Sequence, residues 1–276
     1  MALCWAAPGP YVSEGIAPHG GSPFGFEKRT CSFLGGAVID VEQETPGEPA
    51  LFTVTAEWNV AWLKPSPDVD YRIPDNRHSL GQWVGILGIA CDRDDWYPFL
   101  QAGTAMDGNG TSSASAWVEW FPAASQGVSK GNMAVSPSDQ MRVSVQVSSR
   151  TTGHVYMENL STGQKWDSPV NAPTPDDPRF QICLGHGNAQ IFTEWGIKND
   201  RDNPIVFNNV TFSNVAAVSR SQKNYDFGSG TQDYWDMSSD TTHFALPEAV
   251  DNTTFRLYTP EGKYWDPLIP GCERGC

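Results

Sequence analysis

The strongest constraint on this chain is the period of its apolar residues. From about residue 31 onward they alternate with polar ones over short runs, and clusters of Gly, Pro, Asn, Asp and Ser separate one run from the next. GAVID (36–40), LFTVTAEWNV (51–60), QWVGILGIA (82–90), PFLQAG (98–103) and SAWVEWF (115–121) each read as a strand. So do QMRVSVQVS (140–148), GHVYMEN (153–159), AQIFTEWGI (189–197) and IVFNNVTFS (205–213), with weaker candidates at 242–247 and 254–258. A period of two sends successive side chains to opposite faces of a sheet. No window places apolar residues at helical spacing, so little helix is expected. Many short strands punctuated by turn residues predict an all-β chain of two packed antiparallel sheets, a concanavalin-like β-sandwich or jelly roll.

The same punctuation divides the chain. Residues 1–30 are rich in Gly and Pro and without periodicity, and are expected to be a flexible leader or pro-segment. Residues 31–258 form the β-sandwich domain, and 259–276 an irregular C-terminal tail. MALCWAAPGPYV has no basic start, and Pro8 and Pro10 break its apolar run, so no ordinary signal peptide is evident. Lys28-Arg29, just before the first strand, reads either as a processing site or as an exposed loop pair. Residues 63–81, with three prolines, and 165–179, with four, read as long irregular connections of the kind that cover binding clefts.

Charge and cysteines narrow the partners. With 32 acidic against 18 basic residues the net charge is −14, which repels polyanions and argues against nucleic-acid binding. Such a surface also suits acid, where protonation relieves self-repulsion. No run of about 18 apolar residues is present, so no membrane span is expected. The six cysteines (Cys4, Cys31, Cys91, Cys183, Cys272, Cys276) include no CxxC pair, and a metal site is poorly supported. If all six pair, 15 connectivities are open. Sequons at Asn109, Asn159, Asn209 and Asn252, with few lysines and many tryptophans, lean towards a secreted glycoprotein.

Alternation also shows where polar groups meet aromatic ones. In SAWVEWF, Trp117, Glu119 and Phe121 share one face, and Val118 and Trp120 the other. In PFLQAG, Phe99, Gln101 and Gly103 share a face; in AQIFTEWG, Gln190, Phe192 and Glu194 do. Two carboxylates and an amide converging on one aromatic face would mark a functional site, because a lone buried carboxylate costs several kcal/mol. The alternative is that each faces solvent or is satisfied by backbone, since strand order is not fixed by alternation.

In combination, WVGI (83–86), FLQAG (99–103), AWVEWFP (116–122), MENLSTGQKW (157–166) and NAQIFTEW (188–195) resemble the glutamic peptidases, or eqolisins. LGGAVI (34–39) and FTVTAEWNV (52–60) are similar to that family's opening strands, and the likeness runs from about residue 33 to 215. It implies two bent antiparallel sheets with a concave cleft, an acid endopeptidase activity, and a catalytic pair at Gln101 and Glu194. Trp83, Trp117, Glu119 and Phe121 would shape the cleft and support substrate or water. A disulfide between Cys91 and Cys183 is implied, and the other four cysteines stay unassigned. The sequence departs from the family at Leu87 and Ser115, where acidic residues are usual, at Phe121 in place of Tyr, and at Gln190 in place of an acid. Efficiency and pH optimum are where these departures would tell.

The mechanism so implied uses no metal and no cofactor. Ionised Glu194 takes a proton from water, the water attacks the scissile carbonyl, and the amide of Gln101 donates to the oxyanion. Partners would be protein or peptide substrates, acted on by a secreted monomer. Three other readings stand beside it: an aromatic glycan-binding face, a glycoside hydrolase using Glu119 and Glu194 as paired carboxylates, and an inactive or repurposed relative.

Overall fold

The computed structural model describes residues 27–31, 34–41, 51–64, 78–90, 98–108, 112–197, 206–207, 209–229, 231–238 and 243–258. The strands in chain order are β1 (Glu27–Cys31), β2 (Leu34–Val41), β3 (Leu51–Asn59), β4 (Leu63–Lys64), β5 (His78–Ala90), β6 (Phe99–Gly108), β7 (Ser112–Phe121), β8 (Gln126–Gly127) and β9 (Gln140–Val147). They continue with β10 (Thr152–Asn159), β11 (Gln164–Asn171), β12 (Ile182–Ile197), β13 (Val206–Phe207), β14 (Val210–Ser219), β15 (Asn224–Tyr225), β16 (Thr231–Ser238), β17 (His243–Asp251) and β18 (Thr254–Tyr258). The one helical element among the described residues is a 3-10 turn at Pro178–Phe180.

One sheet runs β8-β7-β6-β5-β12-β2-β16 and the other β11-β10-β9-β3-β14-β18. Strand β17 belongs to both, pairing first with β16 and then with β18. The ladders are antiparallel, except that β1 lies parallel to β16. The β-sandwich of two antiparallel sheets expected from alternation is therefore present.

The core lies between the sheets and takes one alternate set from each strand. Val54, Ala56 and Trp58 of β3 and Met141, Val143, Val145 and Val147 of β9 meet Val84 and Ile86 of β5 and Leu100, Ala102 and Met106 of β6. Because the side-chain period is two, a one-residue slip would turn each set out of the core, so burial pins the register. Two buried polar links tie sheet to sheet. Trp58 Nε1 donates to Thr104 Oγ1 at 3.0 Å. The Gln82 amide accepts from the Ala61 N–H at 2.7 Å and donates to the Asn59 carbonyl at 3.0 Å.

Strand β1 begins at Glu27, four residues before the expected start of the sandwich, and pairs Lys28 with Tyr234 and Arg29 with Trp235, so the dibasic pair is part of a ladder. Residues 165–171, expected to belong to the irregular connection 165–179, are in β11 (Gln164–Asn171). Its Pro169 misled the reading, but β11 is the outer strand of its sheet, where a missing N–H breaks no second ladder. Beyond it the chain does not arch over the Gln101 face. Ala172 and Phe180 pack against the core, and the Phe180 carbonyl accepts a hydrogen bond from Trp120 Nε1 at 2.8 Å.

ENLSTGQ (158–164) builds the turn between β10 and β11. Asn159 is wholly buried at the turn between β10 and β11. Its Oδ1 accepts from the N–H groups of Ser161 and Thr162, and its Nδ2 donates to the Ala134 carbonyl and Asp139 Oδ2. Gly163 closes the turn with φ +76°, a left-handed conformation that glycine adopts without strain. Gln164 then binds the Ala134 N–H and the Gly131 carbonyl, fastening the neighbouring loop. Both Nδ2 hydrogens of Asn159 are thus engaged in the folded protein.

Candidate active site

The β5-β6-β7 ladder sets the site. Gln101 pairs with Gly85 on one side and with Glu119 on the other. Trp83 pairs with Gly103, which pairs with Trp117, and Phe99 lies between Leu87 and Phe121. Directly opposed residues share a face. Trp83, Phe99, Gln101, Trp117, Glu119 and Phe121 are therefore together on the face turned away from the core; alternation groups Phe99 with Gln101 and Trp117 with Glu119 and Phe121, and the ladder joins the groups. Val118 and Trp120, the other set of β7, are in the core.

Close approach makes this face a built surface. A Cβ on Gly85 would come within 2.5 Å of the Phe99 ring and 2.8 Å of Gln101 Cβ. Only a residue without a side chain lets Phe99 and the Gln101 stem lie across β5 there. The Trp83 and Trp117 rings meet edge-on, with centroids 6.0 Å apart and planes at 62°, a geometry worth about 0.5–1.5 kcal/mol beyond the area buried. Trp117, Phe121 and Leu87 are half-buried, whereas Gln101 is 0% and Glu119 4% exposed.

Within this layer Gln101 Nε2 donates to Glu119 Oε2 at 2.6 Å. The other amide atom, Gln101 Oε1, is buried with no hydrogen-bond partner. Burial pushes the Glu119 carboxyl up from 4.5 to about 7, and the bond from Gln101 offsets only part of that. Among the described residues no cation is bonded to it, so burial favours its protonated form in acid.

Glu194 lies in β12, on the far side of β5, paired with Gly81 and with Leu34. Its register puts position 194 on the same sheet face as positions 81, 83, 85 and 101. It is not level with Gln101. The position level with Gln101 across Gly85 is Gln190, and position 194 falls four residues further along β5. Of the residues that depart from the family pattern, Leu87 is on this face beside Phe99, and Ser115 is exposed opposite Ala105.

The inferred disulfide falls outside what the structure describes. Cys183 pairs through its backbone with Ile89, two residues before position 91, but Cys91 is not among the described residues. Cys4, Cys272 and Cys276 also lie outside them, and Cys31 ends β1 opposite Met237. Alternation missed two site-building residues. Gly85 could have been suspected, since a glycine inside a strand marks a close approach. Gln82 carried a signal too, as the one polar residue in the core-facing series Leu80, Gln82, Val84, Ile86.

The two-sheet β fold thus carries an amide and a buried carboxyl packed among aromatic rings. Residues 32–256 match the peptidase A4 family, and the chain belongs to that family. It is 40% identical over 112 residues to scytalidopepsin B of Scytalidium lignicola, covering 41% of this chain and 38% of that protein. It is 30% identical over 143 residues to aspergillopepsin-2 of Aspergillus niger, covering 50% and 45%. The chain thus matches less than half the length of either curated relative. Among solved structures, scytalido-glutamic peptidase with a transition state analog inhibitor superposes with a TM-score of 0.62 at 22% identity, over 83% of this chain and 98% of the other. The aspergilloglutamic peptidase of A. niger does so with a TM-score of 0.50 at 24% identity, over 66% and 99%. At such identities these two structures speak for the fold.

Proposed function

We propose that the protein is an acid endopeptidase that hydrolyses peptide bonds in protein substrates, with Gln101 as oxyanion donor and Glu194 as general base and acid. The observation that carries this reading is a fully buried amide, hydrogen-bonded to a carboxyl on an aromatic sheet face, in a chain of the peptidase A4 family. Glu194 takes the proton of a water as that water attacks the scissile carbonyl. Negative charge grows on the carbonyl oxygen and is met by the Nε2 hydrogen of Gln101 that is not given to Glu119. Glu194 then hands its proton to the departing amine. One such oxyanion donor is worth roughly 100- to 1000-fold in rate.

The register sets a geometric condition on this pair. Four residues along a strand and two strand spacings across place the Cα atoms about 16 Å apart in a flat sheet. Two extended side chains and a bridging water span roughly 14 Å. The dyad therefore requires the sheet to curl towards the Gln101 face, in the sense that twisted sheets commonly do. The paired-carboxylate glycosidase reading fares worse, because a third strand spacing separates positions 119 and 194.

Secretion, a monomeric state and peptide partners belong to the same proposal. The test is digestion of denatured protein at pH 3–4 in the presence of pepstatin and EDTA. Wild type should cleave, and Gln101→Ala and Glu194→Gln should each lose at least 100-fold. Substantial residual cleavage by either folded variant would remove that residue from the mechanism.

A further inference from the structure

The orphaned oxygen of Gln101 poses a question that the dyad leaves open. The amide is wholly buried, its Nε2 is engaged by Glu119 at 2.6 Å, and its Oε1 meets no donor. A buried carbonyl oxygen left without a partner is unusual and calls for one. Glu119 is already in contact with this amide, and a carboxyl becomes a donor when it carries a proton.

We propose that Glu119 works in its protonated form as a positioning residue, closing a ring of two hydrogen bonds with the Gln101 amide. In that ring Nε2–H donates to one carboxyl oxygen, as observed, and the carboxyl O–H donates to Gln101 Oε1. Carboxyl and amide groups are complementary for this arrangement, since each offers one donor and one acceptor side by side. The ring satisfies the orphaned oxygen and fixes the amide plane. It leaves the second Nε2 hydrogen outside the ring, and that hydrogen is the one the proposed oxyanion takes. It also strengthens that donor, because hydrogen bonds in series polarise one another.

An ionised Glu119 cannot do this. It has no proton for Oε1, and it faces that oxygen with negative charge. Burial already favours the proton on Glu119. The groups facing it are Gln101, with Phe99 and Gly103, from β6, and Trp117 and Phe121 from its own strand; Gln126 and Gly127 of β8 pair with the residues just before it. None of these titrates; the acidic positions that the register puts on this face include Asp107, six residues along β6 from Gln101, and Glu194, Asp40 and Asp233 on β12, β2 and β16, three or more strands from β7. Gln101 is therefore a competent donor only while Glu119 holds its proton, which would restrict activity to acid.

The inference rests on the peptidase reading for its consequence but not for its geometry, and the test separates the two. Side-chain 15N spectra of wild-type protein should show the Gln101 Nε2 hydrogens shifting near neutral pH, with the shift absent in Glu119→Gln. A flat wild-type titration overturns the ring, whether or not the protein cleaves peptides. A titration without proteolysis overturns the peptidase reading and leaves the ring standing. In cleavage assays Glu119→Ala should lose roughly 100-fold at pH 3–4. Glu119→Gln, whose amide can close the same ring, should recover at least tenfold of that and carry the alkaline limb of the pH profile upward by about one unit or more. A Glu119→Gln protein that folds yet falls as low as the alanine variant, or keeps the wild-type alkaline limb, overturns the proposal.

Discussion

The buried carboxyl of Glu119 should make the protein lose stability as pH rises from acid to neutral. In the unfolded chain this group titrates near 4.5, and in the folded protein near 7. Between those values the folded state binds the proton and the unfolded state has released it, so unfolding is increasingly favoured as pH rises. The full stabilisation is present below about 4.5 and is gone above about 7. Each pH unit in that window is worth about 1.4 kcal/mol, so the total approaches about 3 kcal/mol. Glu119→Gln removes the titration and nearly keeps the shape. Urea midpoints of both proteins at pH 4, 5, 6, 7 and 8 isolate the effect, because the repulsion from a net charge of −14 is close to common to both. The gap between wild type and variant should shift by about 2–3 kcal/mol against wild type from pH 4 to 8. A gap constant within about 0.5 kcal/mol, or one that moves in favour of wild type, would refute the reasoning that burial dominates at this carboxyl.

Two further outcomes test the surrounding structure. Gly103→Ala places a Cβ 2.0 Å from the Gln82 carbonyl oxygen and 2.6 Å from Trp83 Cβ. Backbone cannot yield as a flexible side chain would, so a loss of roughly 2–4 kcal/mol is expected by denaturation, and a neutral result would mean that β5 and β6 are more loosely joined. Protein produced in a glycosylating host should carry no glycan at Asn159 by peptide mass mapping, because both Nδ2 hydrogens are engaged in a buried turn; occupancy there would show that the turn forms differently.

Much of the site was legible because alternation reports faces directly. Trp117, Glu119 and Phe121 were separable from Val118 and Trp120 by counting in twos, and the structure puts one set on the site face and the other in the core. Alternation could not reveal which strands are neighbours, and neighbours decide chemistry. Glu119 read as a supporting residue because alternation gives no register between β6 and β7; their antiparallel pairing sets it against Gln101, and burial in that layer raises its proton affinity. Likewise β11 was hidden by proline, whose cost depends on whether the strand lies at an edge.

The sequence alone determined the secondary-structure class, the face each strand residue takes and the family resemblance, because these follow from local periodicity and from motifs along the chain. Strand order and register were decided only by the tertiary structure. They arise from burial and hydrogen bonding between segments far apart in the chain. The register between the consecutive strands β6 and β7 sets Gln101 against Glu119, and the long-range pairing of β5 with β12 puts position 194 four residues out of line with Gln101.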